Sequence, residues 1–356
     1  MPMGSYKVLL MLLRMALGKE TQLTLPEHFK WDDILQLADV QGVAAIAADG
    51  VERSDVQVPF GIKMEFASRV ITHEQVYQRH QQLMVKLAKL YRNKGFRMMV
   101  LKGWGLSQNY PIPSHRPSGD LDIWNFGEWK RADAYIASKG VEIDNGHHHH
   151  TVFNIEELTV ENHYDFINVY AHRSSRRIEA KLKELANREY RSNTVDGVEV
   201  YTPSATFNAL FLLRHTAQHF AGAEMTLRQL LDWALFMEKH HTEIHWDEYT
   251  AYLKEEQLWR FFNLLNLLAV EKLGFSRDFV PCTIENDDLQ ERVFADIISP
   301  EFTDKVEGNV IKRITTKSRR WWHNRWKHDL CYSDSMLSDF AYGTWAKILK
   351  PSHFLH

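Results

Sequence analysis

The hydrophobic pattern of residues 1–95 follows the period of an α-helix. Apolar side chains recur at helical spacing in residues 34–38 and 43–47, and again through the long segment 66–91. That segment is followed by Gly95, and glycine just past the last turn is typical of a helix C-terminus. We therefore predict an N-terminal helical region.

The period changes in the middle of the chain, where short apolar runs are separated by turn-forming residues. Residues 96–101 and 120–124 flank a proline-rich stretch, which predicts two buried strands joined by an irregular loop. Residues 128–138 have the spacing of a short amphipathic helix. Residues 147–155 and 158–169, separated by two glutamates, predict a hairpin of longer strands. This order implies a small mixed sheet with helices packed on it.

Helical periodicity returns after Ser204, a good N-cap residue that follows Pro203. The predicted helices cover residues 207–220, 227–240, 246–254, 259–273 and 289–298. The predicted fold class is α+β, with an N-terminal helical region over residues 1–95, a mixed α/β core over 96–200 and a C-terminal helical domain over 201–356.

Composition and charge exclude several classes of protein. A chain of 356 residues with 44% hydrophobic and 25% charged residues is typical of a globular protein. The net charge of −3 argues against a protein dominated by electrostatic contact with nucleic acid. The two cysteines, Cys282 and Cys331, have no zinc-finger spacing. They indicate neither a disulfide framework nor a cysteine-based zinc site, and a reducing compartment is expected.

The apolar run at residues 8–13 has two interpretations. As the core of a signal peptide it is interrupted by Arg14 and lacks a small-residue cleavage site. As an amphipathic helix, which we favour, it continues to a stop at Gly18. No apolar stretch approaches the roughly 20 residues needed to span a bilayer. A cytoplasmic protein with no membrane partner is therefore predicted.

Asp120 and Asp122 form the pattern that is most informative about chemistry. Side chains alternate along a strand, so these two carboxylates should point to the same face, about 7 Å apart. Carboxylates held side by side repel each other and raise each other's pKa unless a cation lies between them. A divalent metal is the usual cation. Surface carboxylates that alternate by chance are the alternative.

Further motifs before and after this pair complete a known pattern. The motifs are Lys102-Gly103-Trp104, the run Arg116-Pro117-Ser118-Gly119-Asp120-Leu121-Asp122, the residues Glu161-Asn162-His163, and the helical pair His215 and His219. Their order resembles the active site of the nucleotidyltransferase superfamily, which has a polymerase-β-like palm. It resembles more closely a family of uncharacterised bacterial nucleotidyltransferases, and the resemblance covers residues 80–240.

The resemblance implies a Mg²⁺-dependent enzyme, with Mn²⁺ as an alternative cofactor, that transfers a nucleoside monophosphate from an NTP to a hydroxyl group. ATP is the expected NTP. In such enzymes two Mg²⁺ ions about 3.5–4 Å apart activate the acceptor oxygen and stabilise the pyrophosphate. Asp120, Asp122 and Glu161 are the implied catalytic residues and metal ligands, with Glu161 as a ligand or general base on the acceptor side. A small molecule, a protein and RNA are all open as acceptors.

The resemblance also implies a set of nucleotide-binding residues. They are Lys102, Gly103, Trp104, Arg116, Gly119, His163, His215 and His219. Gly103 would let the backbone and its following N–H groups approach the phosphates, and Lys102 would neutralise a phosphate as a point charge. Arg116 either reaches the same phosphates or holds the proline-rich loop. Trp104 departs from the superfamily, which has glycine or serine at this position. Its bulk supports the alternative of a nonenzymatic nucleotide-binding protein with a degenerate site.

Histidines form two further groups. His147 to His150 would alternate between the faces of a strand, either as a polar hairpin edge or as contacts to phosphate or a transition metal. His215 and His219 share one helical face, as do Arg228 and Asp232 on the next predicted helix. These four side chains either line the nucleotide pocket or form a buried polar interface between the two helices. A zinc hydrolase built on the histidines is a third functional hypothesis, although the glutamate of an HExxH motif is absent.

The segment 312–327 combines arginine and lysine with tryptophan. Such a combination can bind the nucleic-acid backbone and stack on bases, which would suit an RNA acceptor. The alternative, which we favour, is an amphipathic helix whose tryptophans pack on the core while its cations stay solvated.

Overall fold

A computed structural model describes residues 3–117, 119–170, 172–222, 224–300, 319–320, 322–339 and 342. The helices are α1 (Met3–Ala16), α2 (Trp31–Val40), α3 (Ala44–Arg53), α4 (Phe60–Arg92), α5 (Trp104–Ser107), α6 (Trp129–Ala137), α7 (Ser174–Arg188), α8 (Ala205–Gly222), α9 (Leu227–His240), α10 (Trp246–Glu255), α11 (Trp259–Leu273), α12 (Gln290–Ile298) and α13 (Arg325–Cys331). The strands are β1 (Met99–Val100), β2 (Leu121–Trp124), β3 (His150–Ile155), β4 (Leu158–His163), β5 (Tyr190–Val195) and β6 (Val198–Pro203). The predicted α+β class is confirmed. Within the described ranges, no helix combines the length and the apolarity needed to cross a bilayer.

The strands form one six-stranded mixed sheet in the order β3-β4-β2-β1-β6-β5. β2 is parallel to β4 and β1 is parallel to β6, whereas β1–β2, β3–β4 and β5–β6 are antiparallel. Helix α6 lies in the connection between β2 and the β3–β4 hairpin, as the parallel pairing of β2 with β4 requires. The centre of the sheet depends on β1, which is much shorter than the predicted strand 96–101.

The sheet separates two hydrophobic cores because alternate residues of each strand face opposite sides. One core joins Ile123 and Val160 to α6 and to the second half of α4. The other core is larger and combines Trp124 and Phe211 with helices from both ends of the chain. Asp122, one of the carboxylates predicted to bind metal, therefore belongs to a strand that is covered by helices on both faces.

The N-terminal helices pack directly against the C-terminal helices. Arg14 donates hydrogen bonds to the carbonyl oxygens of Lys272 and Glu271, at 2.9 and 3.1 Å. Gly50 of α3 lies so close to α1 that a Cβ atom there would be 2.1 Å from the carbonyl oxygen of Leu12. Glycine is required at this crossing because any side chain would collide with backbone.

The structure adds α7, β5 and β6 to the elements predicted from the sequence. The β5–β6 hairpin turns at Asp196 and Gly197, whose φ angles of 48° and 75° are both positive. Asp-Gly is a strong signal for a tight hairpin, so this turn was detectable in the sequence. Helix α7 was harder to recognise because its buried hydrophobic side chains, such as Ile178, Leu182 and Leu185, form a narrow stripe among many charged residues.

The first hairpin has the predicted turn, but its strands are shorter than the predicted ranges 147–155 and 158–169. Pairing between the two strands stops where His150 lies opposite His163. The next two backbone amides of the chain both donate to the carbonyl oxygen of His149, so the chain leaves the sheet there. The predicted placement of the whole histidine run on a strand is therefore wrong.

A buried ion pair ties the loop before β2 to helix α9. Asp232 accepts hydrogen bonds from Nε and Nη2 of Arg116, at 2.7 and 2.9 Å, and from the Tyr110 hydroxyl at 2.7 Å. Arg116 and Asp232 are each only 5% exposed. Arg116 Nη1 also donates to the carbonyl oxygens of Gly103 and Pro117, at 3.4 and 3.2 Å. The pair thus fixes both the turn after β1 and the loop before β2 on the helical layer.

We expect Asp232→Ala to destabilise the protein strongly. The substitution leaves the Arg116 guanidinium buried without its counter-ion, which costs about 3–5 kcal/mol of unfolding free energy. Replacing both partners, with Arg116→Met and Asp232→Leu, removes the unpaired charge and should cost less than Asp232→Ala alone. Urea denaturation measures the free energy of unfolding of each variant.

Asp39→Ala is the matched control for this experiment. Asp39 forms an ion pair with Arg69 on an exposed surface, and such pairs contribute about 0–1 kcal/mol. Equal losses of stability in Asp39→Ala and Asp232→Ala would contradict the role assigned to the buried pair.

Candidate active site

The parallel pairing of β2 with β4 brings two carboxylates together. The register places Asp122 opposite Glu161 and Trp124 opposite His163. Because side chains two residues apart share a face, His163 lies on the same face as Glu161, as the alternation along a strand predicts. The ligand atoms of Asp122, Glu161 and His163 all lie within 4.8 Å of one another.

Asp122 is buried, at 2% exposure, and is surrounded by positive charge. Its Oδ1 atom lies 2.8 Å from Nζ of Lys102 and 2.9 Å from Nε2 of His163. Burial alone would raise the pKa of Asp122, but the charge of Lys102 and the hydrogen bond from His163 hold that pKa far below its ordinary value. Burial would lower the pKa of His163, but its hydrogen bonds to Asp122 and Glu161 raise it to about 9. The buried carboxylate is therefore neutralised by the protein itself.

Asp120 differs from Asp122 in its surroundings. The sequence predicts Asp120 within a strand, but β2 begins one residue later, and Asp120 is an exposed residue. The protein packed around its carboxyl group and the nearby charge of Asp122 nevertheless raise the pKa of Asp120 to about 6. The pair thus consists of one buried carboxylate that is held by cations and one that reaches solvent.

Histidines lie beside Glu161 at the edge of this cluster. Glu161 Oε2 is 3.6 Å from Nδ1 of His150 and 3.6 Å from Nε2 of His163. His149, His150 and His163 form a second group with ring nitrogens within 4.8 Å. Burial lowers the pKa of His149 to about 2 and that of His150 to about 4. Their Nδ1 atoms are buried and have no hydrogen-bond partner in the part of the chain that the structure describes. Neutral imidazoles next to carboxylates are suitable ligands for a divalent cation.

The remaining histidines of the run lie in the bend before β3. His147 stacks on His150, with ring centroids 4.8 Å apart, and His147 Nε2 is 3.3 Å from Oδ2 of Asp144. The structure therefore places His150 beside Glu161 and His149 beside His150 and His163, and it leaves His147 at the polar rim. A phosphate contact from any of these residues stays a prediction.

Helix α8 contributes His215 to the same cluster. The ammonium of Lys102, which already contacts Asp122, lies 3.3 Å from Nε2 of His215. Burial lowers the pKa of His215 well below its ordinary value, so its ring is neutral and Nε2 can accept a hydrogen bond from Lys102. His219 is one turn further along, with its ring centroid 4.6 Å from that of His215. Of the predicted helical pair, His215 thus joins the cluster through Lys102, and His219 lies beside His215.

The turn after β1 requires glycine. Gly103 has φ +52° and ψ −109°, a conformation that L side chains rarely adopt, and a Cβ atom would lie 3.4 Å from the carbonyl oxygen of Asp120. The one-turn helix α5 follows, beginning at Trp104. Trp104 Nε1 donates to Oε1 of Gln81 on α4 at 3.0 Å, and its ring packs on the core beneath that helix. The bulky side chain is therefore anchored to α4.

The other residues that the resemblance implies, Arg116 and Gly119, do not lie in the carboxylate cluster in the same way. The guanidinium of Arg116 is bonded to Asp232, so the geometry favours its loop-holding interpretation. For Asp232, the sequence left open a nucleotide pocket or a buried polar interface. Its bonds to Arg116 and Tyr110 place it in a buried polar interface. Gly119 is exposed, and a Cβ atom there would meet no atom of the described residues within 4 Å. The sequence reasoning missed Tyr110, because no motif marks its contact with Asp232.

The structure describes part of the basic and aromatic segment 312–327. Its residues 312–318 and 321 lie outside the described residues. Trp326 packs edge-to-face on Phe220, with ring centroids 5.5 Å apart, whereas Trp322 is 66% exposed. The favoured packing of tryptophan on the core therefore applies to Trp326 and not to Trp322.

Residues 27–274 match the family described as "Uncharacterised nucleotidyltransferase". The match covers more than half of the chain and includes every motif on which the resemblance depends. The protein is therefore a member of the nucleotidyltransferase class. It belongs to the uncharacterised nucleotidyltransferase family, as the sequence motifs predict, and this membership supports a general activity in nucleotidyl transfer. Nucleotidyltransferases generally use an NTP and a divalent metal.

Comparison of folds finds a solved structure with a related description. An antigenic nucleotidyltransferase-like protein from Paracoccidioides brasiliensis is similar over 49% of this chain and 87% of that chain, with 12% sequence identity and a TM-score of 0.32. Among curated proteins, none matches the sequence.

We expect Lys102→Met to make the stability of the protein depend on divalent cations. Methionine keeps an apolar stem but removes the ammonium that balances Asp122, which leaves buried negative charge. In EDTA the variant should lose on the order of 3 kcal/mol of unfolding free energy. Mg²⁺ or Mn²⁺ should restore part of that loss, because a bound cation replaces the missing charge. Unfolding curves with EDTA and with each cation measure both effects.

Lys181→Met is the matched control. Lys181 forms an ion pair with Glu248 between α7 and α10, and neither residue belongs to the carboxylate cluster. A cation response of Lys102→Met that is no larger than that of Lys181→Met would argue against a cation site at Asp122.

Proposed function

We propose that the chain is a divalent-metal-dependent nucleotidyltransferase that transfers a nucleoside monophosphate from ATP or another NTP to a hydroxyl acceptor. The main support is the side-by-side placement of Asp122 on β2 and Glu161 on β4, which are parallel strands. Asp120 lies just before β2, and Lys102 contacts Asp122. The ligand atoms of Asp122, Glu161 and His163 lie within 4.8 Å of one another, so the two carboxylates of this group would hold a divalent cation.

The donor set fits the metal that this chemistry needs. Asp122 and Glu161 would hold the ion, and Asp120 would complete the site from its more exposed position. Carboxylate oxygens are the ligands that Mg²⁺ prefers, which favours Mg²⁺, and they also suit Mn²⁺, which makes Mn²⁺ a suitable substitute. When bound, a divalent metal polarises phosphoryl oxygens and lowers the pKa of an acceptor hydroxyl.

Lys102 and the turn after it would bind the triphosphate. The ammonium lies between Asp122 and the neutral ring of His215, and it can donate a further hydrogen bond to a phosphate oxygen. Gly103 allows the phosphates to approach the backbone, since it carries no side chain and adopts a positive φ. His215 keeps the Lys102 side chain directed into the cluster.

The reaction would proceed by in-line displacement. The acceptor hydroxyl oxygen attacks the α-phosphorus, the bond from the α-phosphorus to the bridging oxygen breaks, and pyrophosphate leaves. The hydroxyl proton passes to the carboxylate of Glu161, which lies beside Asp122 on the neighbouring strand. The positive charge of Lys102 offsets the negative charge that develops on the leaving phosphates.

The nonenzymatic alternative depends on Trp104. Its indole donates a hydrogen bond to Gln81 and packs on α4, and Lys102 reaches Asp122 despite the bulk of Trp104. This orientation is the reason that we favour the enzyme. A nucleotide-binding protein without turnover would still be stabilised by an NTP and a divalent cation, so the two functions differ only in product formation.

We expect the purified protein to transfer label from an α-³²P-NTP to an acceptor. Each NTP is incubated with Mg²⁺ or Mn²⁺ and with separate small-molecule, protein and RNA fractions of a cell extract. Asp122→Asn and Glu161→Gln should lower the rate at least about 100-fold, because even residues that only support metal ligands account for 10–100-fold. Labelled product is separated by chromatography and counted.

Glu157→Gln is the matched control, since Glu157 lies in the exposed turn of the same hairpin and pairs with Arg79. It should retain the rate of the unmodified chain. Nucleotide-dependent thermal stabilisation without labelled product in any fraction would favour the nonenzymatic alternative. Equal activity in Asp122→Asn and Glu157→Gln would contradict the proposed site.

A further inference from the structure

Three side chains of the metal-binding type converge beside helix α13, and none of them belongs to the candidate active site. His172 precedes α7, His328 lies in α13, and Asp339 follows that helix. His172 Nδ1 and His328 Nε2 lie 2.5 and 2.8 Å from the same oxygen, Oδ2, of Asp339. The three ligand atoms are all within 4.8 Å of one another.

Hydrogen bonding alone leaves this cluster incompletely satisfied. Both imidazoles approach Oδ2, whereas Oδ1 of Asp339 and Nδ1 of His328 are buried and have no hydrogen-bond partner among the described residues. His328 Nδ1 lies 3.8 Å from Oδ1 of Asp329. His328 and Asp339 are each 7% exposed, so bulk water has little access to these atoms. Buried polar atoms without partners are uncommon in folded proteins, and such atoms often contact a bound ion or an ordered water molecule.

We propose that His172, His328 and Asp339 form a zinc site that fastens the C-terminal segment to the start of α7. Two imidazole nitrogens and one carboxylate oxygen are typical zinc ligands, with bonds of about 2.0–2.2 Å and a fourth position left for water. Nitrogen donors favour zinc over Mg²⁺ or Ca²⁺. The two nitrogen–oxygen distances of 2.5 and 2.8 Å need to expand by less than about 1 Å to reach the spacing around a tetrahedral ion.

Neighbouring side chains orient the ligands and define the charge balance. Tyr332 stacks on both rings, with centroid distances of 3.7 Å to His172 and 4.9 Å to His328. Arg214 lies 4.3 Å from the Tyr332 ring centroid, and its positive charge opposes a bound cation. The negative charge of Asp339 is therefore essential to the site, and removing it alone should abolish binding.

An ion at this place would join parts of the chain that are distant in sequence. His172 and Asp339 are 167 residues apart. An ion that binds both segments closes a long loop of the chain and adds bonds to the folded state. Zinc should therefore stabilise the protein. The same two segments already meet through the amide of Ser174, which donates to Oδ2 of Asp334 at 2.6 Å.

The proposal is tested by measuring zinc in the untagged full-length protein. After loading with Zn²⁺ and dialysis, we expect about one zinc per chain at this site, and removal by a chelator should lower the melting temperature. Asp339→Asn and His328→Gln should weaken zinc binding at least about tenfold. His28→Gln, at an exposed position, is the matched control and should bind zinc as the unmodified chain does.

His150→Gln separates this site from the histidines of the active site. Zinc that is kept in His150→Gln and lost in Asp339→Asn supports the proposal. Absence of bound zinc, or zinc lost in His150→Gln and kept in Asp339→Asn, overturns it. X-ray absorption at the zinc edge of the unmodified protein gives a second criterion that needs no variant. Two imidazoles and a carboxylate support the proposal, and three imidazoles overturn it.

Discussion

The burial of Asp122 is the constraint on which the site depends. A carboxylate that is 2% exposed is tolerated only when charged partners replace the water that it has lost. Those partners come from separate parts of the chain, Lys102 from the turn after β1 and His163 from the end of β4. Both reach Asp122 because β1 and β4 are the two neighbours of β2 in the sheet. The order of the strands in the sheet therefore determines which charged side chains surround Asp122.

The members of the carboxylate cluster could be predicted from the sequence because each of its motifs is short and local. Alternation along a strand is enough to place Glu161 and His163 on one face, and the motif order associates them with Asp122. The β5–β6 hairpin could also have been found, since Asp196-Gly197 is a strong turn signal. Helix boundaries such as Leu227–His240 follow directly from periodicity.

Contacts between distant segments could not be predicted in the same way. Asp232 is 116 residues from Arg116, and Asp339 is 167 residues from His172, so no short motif contains either pair. The asymmetry between Asp120 and Asp122 is likewise a property of packing, because alternation alone makes the two residues equivalent. The division of the chain at residues 95 and 200 stays a prediction, and the larger hydrophobic core draws side chains from all three of those regions.

The position of Lys102 has a consequence for how any divalent cation reaches Asp122. The ammonium lies 2.8 Å from the carboxylate, so an incoming ion has to compete with a positive charge that is part of the same chain. A tethered competitor has a fixed effective concentration that dilution of the protein does not lower. A ligand that draws the ammonium away, as a triphosphate would, removes this competition. Metal and nucleotide would then each strengthen the binding of the other, because the two affinities are thermodynamically linked.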